Sequence, residues 1–377
     1  MVFRYAKAVA KATAFFILKL LILRQLTLFT SKKKLLLIMQ AQSKNISSSS
    51  LIDPFGRNIR YLRLSVTDRC NLRCVYCMSE SMTFLPKQQV LTIEELHEIC
   101  EVFIELGVKK IRLTGGEPLI RNGIETLFEK LGQNQQLQQL ALTTNGIYLE
   151  KYLDAIVSAG VKRINVSLDS VEQKTFTKLG RFDHLHAVLK GLAAAKAKGL
   201  SIRINSVLLA GENDNQVLPL VDFAVENGFD IAFIEEMPLG NIDSHNRQDT
   251  VVFNDAVAKK ISSHYTLNTD AETDLSIKGP ARYALLMGTQ TRLGFISPHS
   301  NNFCSTCNRV RVTVEGKLLL CLGHENSIDL RAILRDQNYS REHMKAHIKS
   351  ALLDKPKEHE FNSTETHIVR FMNMTGG

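Results

Sequence analysis

The sequence lacks any uncharged apolar run long enough to form a membrane-spanning helix. Such a helix needs about 20 apolar residues, whereas the most apolar stretch, AFFILKLLILRQLTLF, is interrupted by Lys19 and Arg24. Tryptophan, low-complexity tracts and repeats of fixed period are also absent, which excludes repeat architectures. With 377 residues, 44% of them hydrophobic and 23% charged, the composition is typical of a soluble globular protein.

Acidic residues are absent from positions 1–50, and this absence accounts for the excess of positive charge. The chain carries 47 Lys and Arg against 38 Asp and Glu, a formal net charge of +9. Nine of the basic residues lie in 1–50, so residues 51–377 hold 38 of each sign. A balanced body has no long-range attraction for nucleic acid, and we expect no nucleic-acid partner.

The basic segment 1–50 has three interpretations. It is acid-free and ends in NISSSS, as a transit peptide does, which would place the protein in an organelle. It also suits a helix on a membrane surface. Third, it is upstream sequence from a misassigned start, with the true start at Met39. We favour the third interpretation, and with it a cytoplasmic protein, because a new composition begins abruptly at SSSSLIDPFGR.

Strand-like and helix-like segments alternate from Leu51 onward. Helical patterns separate six predicted strands; the helix at 92–106 has Thr92 and Glu95 as a capping box and Gly107 at its end. The strands are predicted at 61–66, 110–114, 140–144, 163–168, 201–209 and 230–235. Such alternation favours an α/β fold with a parallel sheet.

The alternation ends after residue 240, which we take as a domain boundary. Residues 241–320 have a mixed pattern with a strand-like stretch at 308–314, and 324–353 are predicted to be helical.

A fourth cysteine is missing from the group Cys70, Cys74 and Cys77, which are separated by three and then two residues. Disulfides are disfavoured because no clean secretory signal is present and one of three cysteines stays unpaired. A structural zinc site needs four ligands. The next cysteine, Cys100, lies on the apolar side of the helix at 92–106 and is predicted to be a core thiol. Three thiolates favour a four-iron cluster with one open iron.

A second group of three cysteines follows near the C-terminus. Cys304, Cys307 and Cys321 are separated by two and thirteen residues. A zinc ribbon would need a further ligand, such as His299 or His324. A second cluster with an open iron needs only the three thiols and no fourth ligand from the protein.

Two arginines lie between the second group's cysteines. On a strand at 308–314, Arg309 and Arg311 would face the same way. Two guanidiniums beside an open iron suit an anionic substrate such as a polyphosphate. The alternative is an ordinary solvated strand face.

The first cysteine group resembles the signature of the radical S-adenosylmethionine enzymes. It has the C-x3-C-x2-C spacing after a first strand, with the aromatic Tyr76 before the last cysteine. The turn TGGEPL, Thr114 to Leu119, follows the second strand. In that superfamily such a turn holds the methionine amino group of S-adenosylmethionine. Glycines allow the backbone a close approach to a ligand, and Glu117 is expected to supply negative charge.

Both groups together resemble the GTP 3',8-cyclase family of molybdenum cofactor biosynthesis. The resemblance runs from LIDPFGR at Leu51 to Gly377 and includes the C-x2-C-x13-C spacing, its Arg-x-Arg insert and the final Gly-Gly. It implies a partial TIM-like (β/α)6 barrel over 51–240. The C-terminal extension, 241–377, would carry a second iron–sulfur cluster at the opposite mouth of the barrel.

The resemblance implies cofactors and site residues. The cofactors are S-adenosylmethionine and two [4Fe-4S] clusters, held by Cys70, Cys74 and Cys77 and by Cys304, Cys307 and Cys321. The implied S-adenosylmethionine contacts are Tyr76, Gly116, Ser167 and Met237. The implied GTP contacts are Arg63, Arg112, Thr143, Arg203, Arg309 and Arg311. We expect these residues at or near the carboxyl ends of strands, where barrel enzymes place their chemistry.

The resemblance also concerns the two C-terminal glycines and one position at which this sequence differs from the family. Gly376 and Gly377 are expected to reach the active site and shape it for hydrogen abstraction. Arg203 stands where the family usually has lysine, and it offers a planar fork in place of a point charge.

The implied reaction is radical cyclisation of GTP to (8S)-3',8-cyclo-7,8-dihydroguanosine 5'-triphosphate, the first step of molybdenum cofactor (molybdopterin) biosynthesis. S-adenosylmethionine cleaved at the first cluster would supply the radical that abstracts hydrogen from C3' of GTP, and the second cluster would hold the guanine. The implied partners are GTP, a flavodoxin-like electron donor, a downstream cyclic pyranopterin monophosphate synthase and a second copy in a homodimer. Another radical S-adenosylmethionine enzyme with an auxiliary cluster, or a non-enzymatic zinc-binding module, remains an alternative.

Overall fold

The computed structural model describes residues 50–242, 245–269, 279–361 and 368–376. Contacts divide the chain into Met1–Ser50 and Leu51–Gly377. Our three interpretations of the N-terminal segment concern residues that, apart from Ser50, lie outside the described ranges. Within those ranges, no helix combines the length and the apolar character needed to cross a membrane.

One sheet of twelve strands organises the described part of Leu51–Gly377. The strands are β1 Tyr61–Ser65, β2 Lys110–Thr114, β3 Gln139–Thr144, β4 Arg163–Ser167, β5 Ser201–Val207, β6 Asp230–Ile234, β7 Leu267–Asn268, β8 Arg282–Leu286, β9 Arg292–Ile296, β10 Arg309–Val312, β11 Lys317–Leu319 and β12 Ser327–Asp329. Their order is β12-β11-β10-β1-β2-β3-β4-β5-β6-β9-β8-β7. The predicted α/β fold, a partial barrel of parallel strands, is confirmed.

The parallel part of the sheet is larger than predicted. Besides β1 to β6, it includes β10, which pairs in parallel with β1, and β9, which pairs in parallel with β6. Antiparallel strands extend both edges. The domain boundary predicted at residue 240 stays a prediction. The sheet itself continues across this position, since β9 and β10 follow it in the chain and pair with β6 and β1.

Helices pack on the outside of this sheet, apart from the last short one, whose first residue lines the inner cavities. They are α1 Ile93–Glu105, α2 Ile124–Gln133, α3 Leu149–Ser158, α4 Gln173–Gly180, α5 Leu185–Ala197, α6 Val217–Asn227, α7 Arg247–Thr250, α8 Asn254–Ser262, α9 Leu330–Leu334, α10 Arg341–Leu352 and α11 Met372–Thr375. Short 3-10 turns lie at Lys87–Gln89, Pro118–Ile120, Asp214–Gln216 and Cys304–Thr306.

The first helix forms as predicted. The Thr92 side chain accepts from the Glu95 N–H, and the Glu95 carboxylate accepts from the Thr92 N–H at 2.8 Å. Cys100 is fully buried in the core on α1, as expected. The helix predicted over 324–353 is interrupted, because Ser327–Asp329 pairs with β11 instead.

Strand alternation sorts the side chains of the barrel wall. On β1, Leu62 and Leu64 are buried in the apolar core, whereas Tyr61 and Arg63 line an internal cavity. The same alternation on β2 turns Arg112 inward. Polar side chains therefore face the inside of the barrel, with the apolar core between sheet and helices.

A chain that starts at Met39 is expected to fold and to work as well as the full chain. Residues 1–38 contain no predicted site residue, and the described fold begins at Leu51, whose carbonyl accepts from the Ile59 N–H at 2.7 Å. Solubility, thermal midpoint and product formation of both chains check this. A large loss in the shortened chain would instead favour a functional N-terminal segment.

Candidate active site

The first cysteine group lies in the loop that follows β1. Cys70, Cys74 and Cys77 line a cavity of about 160 Å³, which we call the first cavity. It opens at the carboxyl ends of the strands, where Thr114, Thr144 and Ser167 end β2, β3 and β4. All four residues predicted to contact S-adenosylmethionine line this cavity, namely Tyr76, Gly116, Ser167 and Met237.

The geometry of these three thiols suits a multi-iron cluster. In the described ranges, no three His, Cys, Asp or Glu side chains converge closely enough to hold a single metal ion. The thiols are nevertheless close neighbours: burial first, then Asp169, and then Cys77 and Cys70 raise the pKa of Cys74. Thiols too far apart for one ion but facing one cavity can each bind a different iron of a cluster.

Burial makes these thiols costly to ionise without a metal. It raises the pKa of Cys70 to about 11 and that of Cys77 to about 12. Bound iron would offset the negative charge of the thiolates, which must be deprotonated to act as ligands. The residues present therefore fit the cluster that the sequence predicts.

The glycine turn is built to approach the cysteine loop. A Cβ atom at Gly116 would lie 2.2 Å from the Arg69 carbonyl oxygen, and one at Gly115 would lie 2.5 Å from that of Thr67. Within this contact, the Gly116 N–H donates to the Thr67 carbonyl at 2.7 Å. Any side chain here would push the turn away from the loop that carries the thiols.

Glu117 accepts three hydrogen bonds beneath the glycine turn. It is fully buried and absent from the lining of the first cavity. Its carboxylate accepts from the Asn145 N–H (2.6 Å), the Thr144 hydroxyl (2.7 Å) and the Leu119 N–H (2.9 Å). Burial raises its pKa to about 7, although these bonds oppose that shift. Glu117 joins the ends of β2 and β3, and after burial its charge is the next cause that raises the pKa of Cys70 in the first cavity.

Replacing Glu117 by alanine is expected to lower the free energy of unfolding by about 3 kcal/mol or more. The change leaves two backbone N–H groups and one hydroxyl buried without their acceptor, at about 1–3 kcal/mol each. Chemical denaturation measures the loss. Glu129→Ala on the exposed side of α2 is the control, with an expected change within about 0.5 kcal/mol. Equal stability of the two variants would contradict the structural role of Glu117.

Asp169 is a site residue that the sequence analysis missed. It lines the first cavity, and its carboxylate accepts from the Tyr76 hydroxyl at 2.7 Å and from the Val207 N–H at 2.9 Å. Burial raises the pKa of Asp169 to about 6. Asp169 thereby holds the aromatic ring of the cysteine loop in place. Its position just after β4, at the carboxyl end of a strand, was the signal that could have identified it.

A second cavity, of about 950 Å³, contains the other cysteine group. Its wall includes Tyr61, Lys110, Gln139 and Arg163, the first residues of β1 to β4, so it opens at the amino ends of the strands. Cys304, Cys307 and Cys321 all line it. The two cysteine groups thus lie at opposite ends of the barrel, as the resemblance implied.

Arginines form a belt across the second cavity. Arg63 on β1 lies in register with Arg112 on β2 and with Arg311 on β10. Burial lowers the pKa of Arg63 to about 10, and it also lowers the pKa of Arg311. Several cations crowded together inside a cavity are costly without an anion, so this belt is suited to a polyanionic ligand.

Arg112 donates to two hydroxyls and one backbone carbonyl. It donates to the Tyr61 hydroxyl (2.8 Å), the Leu142 carbonyl (2.8 Å) and the Thr143 hydroxyl (3.2 Å). Burial alone would raise the pKa of Tyr61, but Arg112 and the neighbouring cations lower it to about 6. That reversal reports a strongly positive potential inside the cavity.

The positions of these residues correct one expectation. Arg63, Arg112 and Arg203 lie in the middle of their strands, and Arg309 begins β10, so they do not occupy carboxyl ends. Thr143 lies next to the end of β3 but lines the first cavity, not the second. The arginine side chains point into the barrel because of strand alternation, and the substrate space is therefore in the barrel interior.

Two more cations belong to this wall. Arg203 donates to the Tyr283 hydroxyl and to the Asn205 side chain and lines the second cavity. Lys110, which the sequence analysis did not select, is largely buried there, 4.9 Å from the Tyr61 ring. Burial lowers the pKa of Lys110 to about 8. Its spacing of two residues from Arg112 on β2 was an available signal.

The histidines considered as zinc ligands bond elsewhere. The Nε2 atom of His299 lies 2.7 Å from the Glu236 carbonyl oxygen, and that of His324 lies 3.0 Å from the Glu358 carbonyl oxygen. Neither lines the second cavity. With no single-ion site among the described residues, the second group fits a cluster better than a zinc ribbon.

The C-terminal segment lies between the two cavities. Met372 lines both of them, and the Asn373 N–H donates to the Cys77 thiol. Arg311 donates to the Gly376 carbonyl at 2.6 Å. Gly376 has a φ of +78°, and a Cβ atom there would lie 2.1 Å from Cγ2 of Thr114. Gly377 lies outside the described residues.

A thiol triad that faces a glycine turn at the carboxyl ends of a partial parallel barrel defines a radical S-adenosylmethionine protein. The chain matches the family model described as Radical SAM superfamily over residues 64–224. It matches the model described as Molybdenum Cofactor Synthesis C over residues 229–361.

Two curated relatives match the amino-acid sequence over most of the chain. It is 50% identical to "GTP 3',8-cyclase" of Ectopseudomonas mendocina over 332 residues, 88% of this chain and 99% of that one. It is 51% identical to "GTP 3',8-cyclase 2" of Pseudomonas aeruginosa over 334 residues, 88% and 100%. The chain belongs to the GTP 3',8-cyclase family.

A solved structure supports the fold alone. Streptococcus suis SuiB bound to S-adenosylmethionine aligns with a TM-score of 0.54 at 15% identity and covers 85% of this chain and 76% of that one.

Proposed function

We propose that this protein converts GTP into (8S)-3',8-cyclo-7,8-dihydroguanosine 5'-triphosphate, the first step of molybdenum cofactor biosynthesis. One observation carries the proposal: the two cavities meet. Asn205, Ile234, Met237 and Met372 line both of them. A reactive group generated at the carboxyl ends of the strands would therefore have direct access to a substrate held in the barrel interior.

The first cavity is the proposed site of radical generation. Cys70, Cys74 and Cys77 would hold a [4Fe-4S] cluster, with Tyr76, Gly116, Ser167 and Met237 around S-adenosylmethionine. When bound there, these cofactors supply the one-electron chemistry that removes a hydrogen atom from the substrate. The protein's part is to fix their positions and to keep water away.

The second cavity is the proposed GTP site. Arg63, Arg112, Arg203, Arg309 and Arg311 line it, and guanidiniums bind phosphate oxygens through paired hydrogen bonds. Thr143, whose hydroxyl accepts from Arg112, approaches GTP from the first cavity. Cys304, Cys307 and Cys321 would hold the second [4Fe-4S] cluster, which would offer an open coordination position to the guanine base. Holding both ends of GTP would fix its ribose near the first cavity.

The remaining assignments concern the cell. A flavodoxin-like protein would deliver the electrons, and a cyclic pyranopterin monophosphate synthase would consume the product. We also propose a cytoplasmic location and a homodimer.

Anaerobic incubation with GTP, S-adenosylmethionine and dithionite tests the proposal. The expected outcome is a cyclised nucleotide that has the same mass as GTP, is separated from it by chromatography, and forms with transfer of deuterium from C3'-deuterated GTP to 5'-deoxyadenosine. Cleavage of S-adenosylmethionine without any GTP-derived product would favour a different radical enzyme with an auxiliary cluster. Purification with bound zinc and without iron would favour a zinc-binding module.

A further inference from the structure

A buried lysine lies behind the second cysteine group. Lys355 is only 3% exposed, although lysine is rarely buried without a partner. Its Nζ donates to the carbonyl oxygens of Arg309 (3.0 Å) and Leu320. These carbonyls belong to residues that lie two positions after Cys307 and one before Cys321, so the ammonium spans the two segments that carry these thiols.

The charge of Lys355 has no carboxylate partner. Among the described residues, no Asp or Glu lies within ion-pair distance of it, and both of its acceptors are neutral carbonyls. The Cys307 thiol lies 4.0 Å from the same Arg309 carbonyl oxygen that accepts from Lys355, and the other acceptor, the Leu320 carbonyl, directly precedes Cys321. A buried cation that faces two metal-ligating thiols is compensated only when those thiols carry negative charge.

A neighbouring arginine shows the contrast. Arg57 is also buried, and it fixes the same segment by donating to the carbonyls of Cys304 (2.8 Å) and Pro356 (2.6 Å). Its charge, however, is neutralised by an ion pair with Asp53. Arg57 therefore fixes the backbone with its charge already paired. The charge of Lys355 has no such carboxylate and lies beside the segments that carry the cysteine group.

We propose that Lys355 is a positioning residue that provides the counter-charge for the second cysteine group. Its ammonium fixes the backbone beside Cys307 and Cys321 and stabilises the more negative, reduced state of the group that the thiolates hold. This inference rests on the proposed second cluster. Charge and hydrogen bonds around the ligands are among the factors that set the potential of such clusters.

The test uses the full-length holoenzyme, prepared anaerobically, with three variants. Lys355→Met removes the charge, Lys355→Arg keeps it, and Lys357→Met, an exposed position in the same segment, is the matched control. Iron content and a potentiometric titration followed by electron paramagnetic resonance are measured on each protein.

Lys355→Met is expected to shift one of two titrating components to a more negative potential and to leave the other unchanged. Lys355→Arg and Lys357→Met should titrate as the unmodified protein does. If Lys355→Met instead holds only about four of about eight irons per chain, retention of all irons by Lys355→Arg also supports the proposal.

Two results would overturn it. One is an unshifted titration of Lys355→Met with full iron content. The other is an equal defect in Lys355→Met and Lys355→Arg, which would show that hydrogen-bond geometry matters and charge does not. About four irons per chain in the unmodified protein would instead refute the second cluster itself, so that value is measured first.

Discussion

Replacing Cys70, Cys74 or Cys77 by alanine abolishes the cleavage of S-adenosylmethionine, with or without GTP. Each change removes one of the three thiolates proposed to hold the electron-delivering cluster. The next cysteine in the chain, Cys100, cannot substitute because it is sealed in the core on α1. Quantifying methionine and 5'-deoxyadenosine after anaerobic reduction checks this prediction. The rate of S-adenosylmethionine cleavage should fall to the background rate.

The matched control for this prediction is the other cysteine group. Cys304→Ala should leave S-adenosylmethionine cleavage in place while GTP cyclisation is lost, and the iron content should fall from about eight to about four per chain. Normal turnover of GTP by Cys304→Ala would show that the assignment of two clusters is wrong.

Deleting Gly376 and Gly377 reduces product formation by about 100-fold while both clusters and GTP binding persist, the scale expected when a reacting group is misplaced by about 1 Å. The Gly376 carbonyl accepts from Arg311 of the arginine belt, so the tail orients a proposed substrate contact. Gly377→Ala should act in the same direction. Product yield is compared with iron content and GTP affinity, and Val369→Ala, an exposed change in the same segment, is the control.

A substitution at Gly376 sharpens this prediction. Gly376→Ala places a methyl group against Cγ2 of Thr114 and should reproduce the deletion. Adding Thr114→Ser removes that Cγ2 atom and should restore part of the lost rate. Full turnover by the deletion variant, with both clusters present, would mean that the tail is dispensable.

The sequence predicted the six central strands within two residues because each alternates or is continuously apolar between clear helix signals. It did not predict that β10 joins β1. That pairing places Arg63 opposite Arg311, residues far apart in the chain, and single-sequence periodicity contains no information about which distant strands meet. The interruption of the helix predicted at 324–353 has the same cause.

Some site residues could be identified from local sequence features, and others could not. Cysteine spacing and the family resemblance identified both thiol groups and the arginines, because those features are local in the sequence. Asp169, Lys110 and the donors around Glu117 depend on packing between elements. Their roles became visible only when burial and hydrogen-bond partners were known.

The place of β1 between β2 and β10 bears on how the chain matures during synthesis. One edge of β1 has no partner until β10 leaves the ribosome, which at about 5–20 residues per second takes roughly 10–50 s. During that delay the unpaired edge is open to pairing with other chains. The segment that carries Gly376 is synthesised after β10, so the contact between Arg311 and the Gly376 carbonyl forms later still.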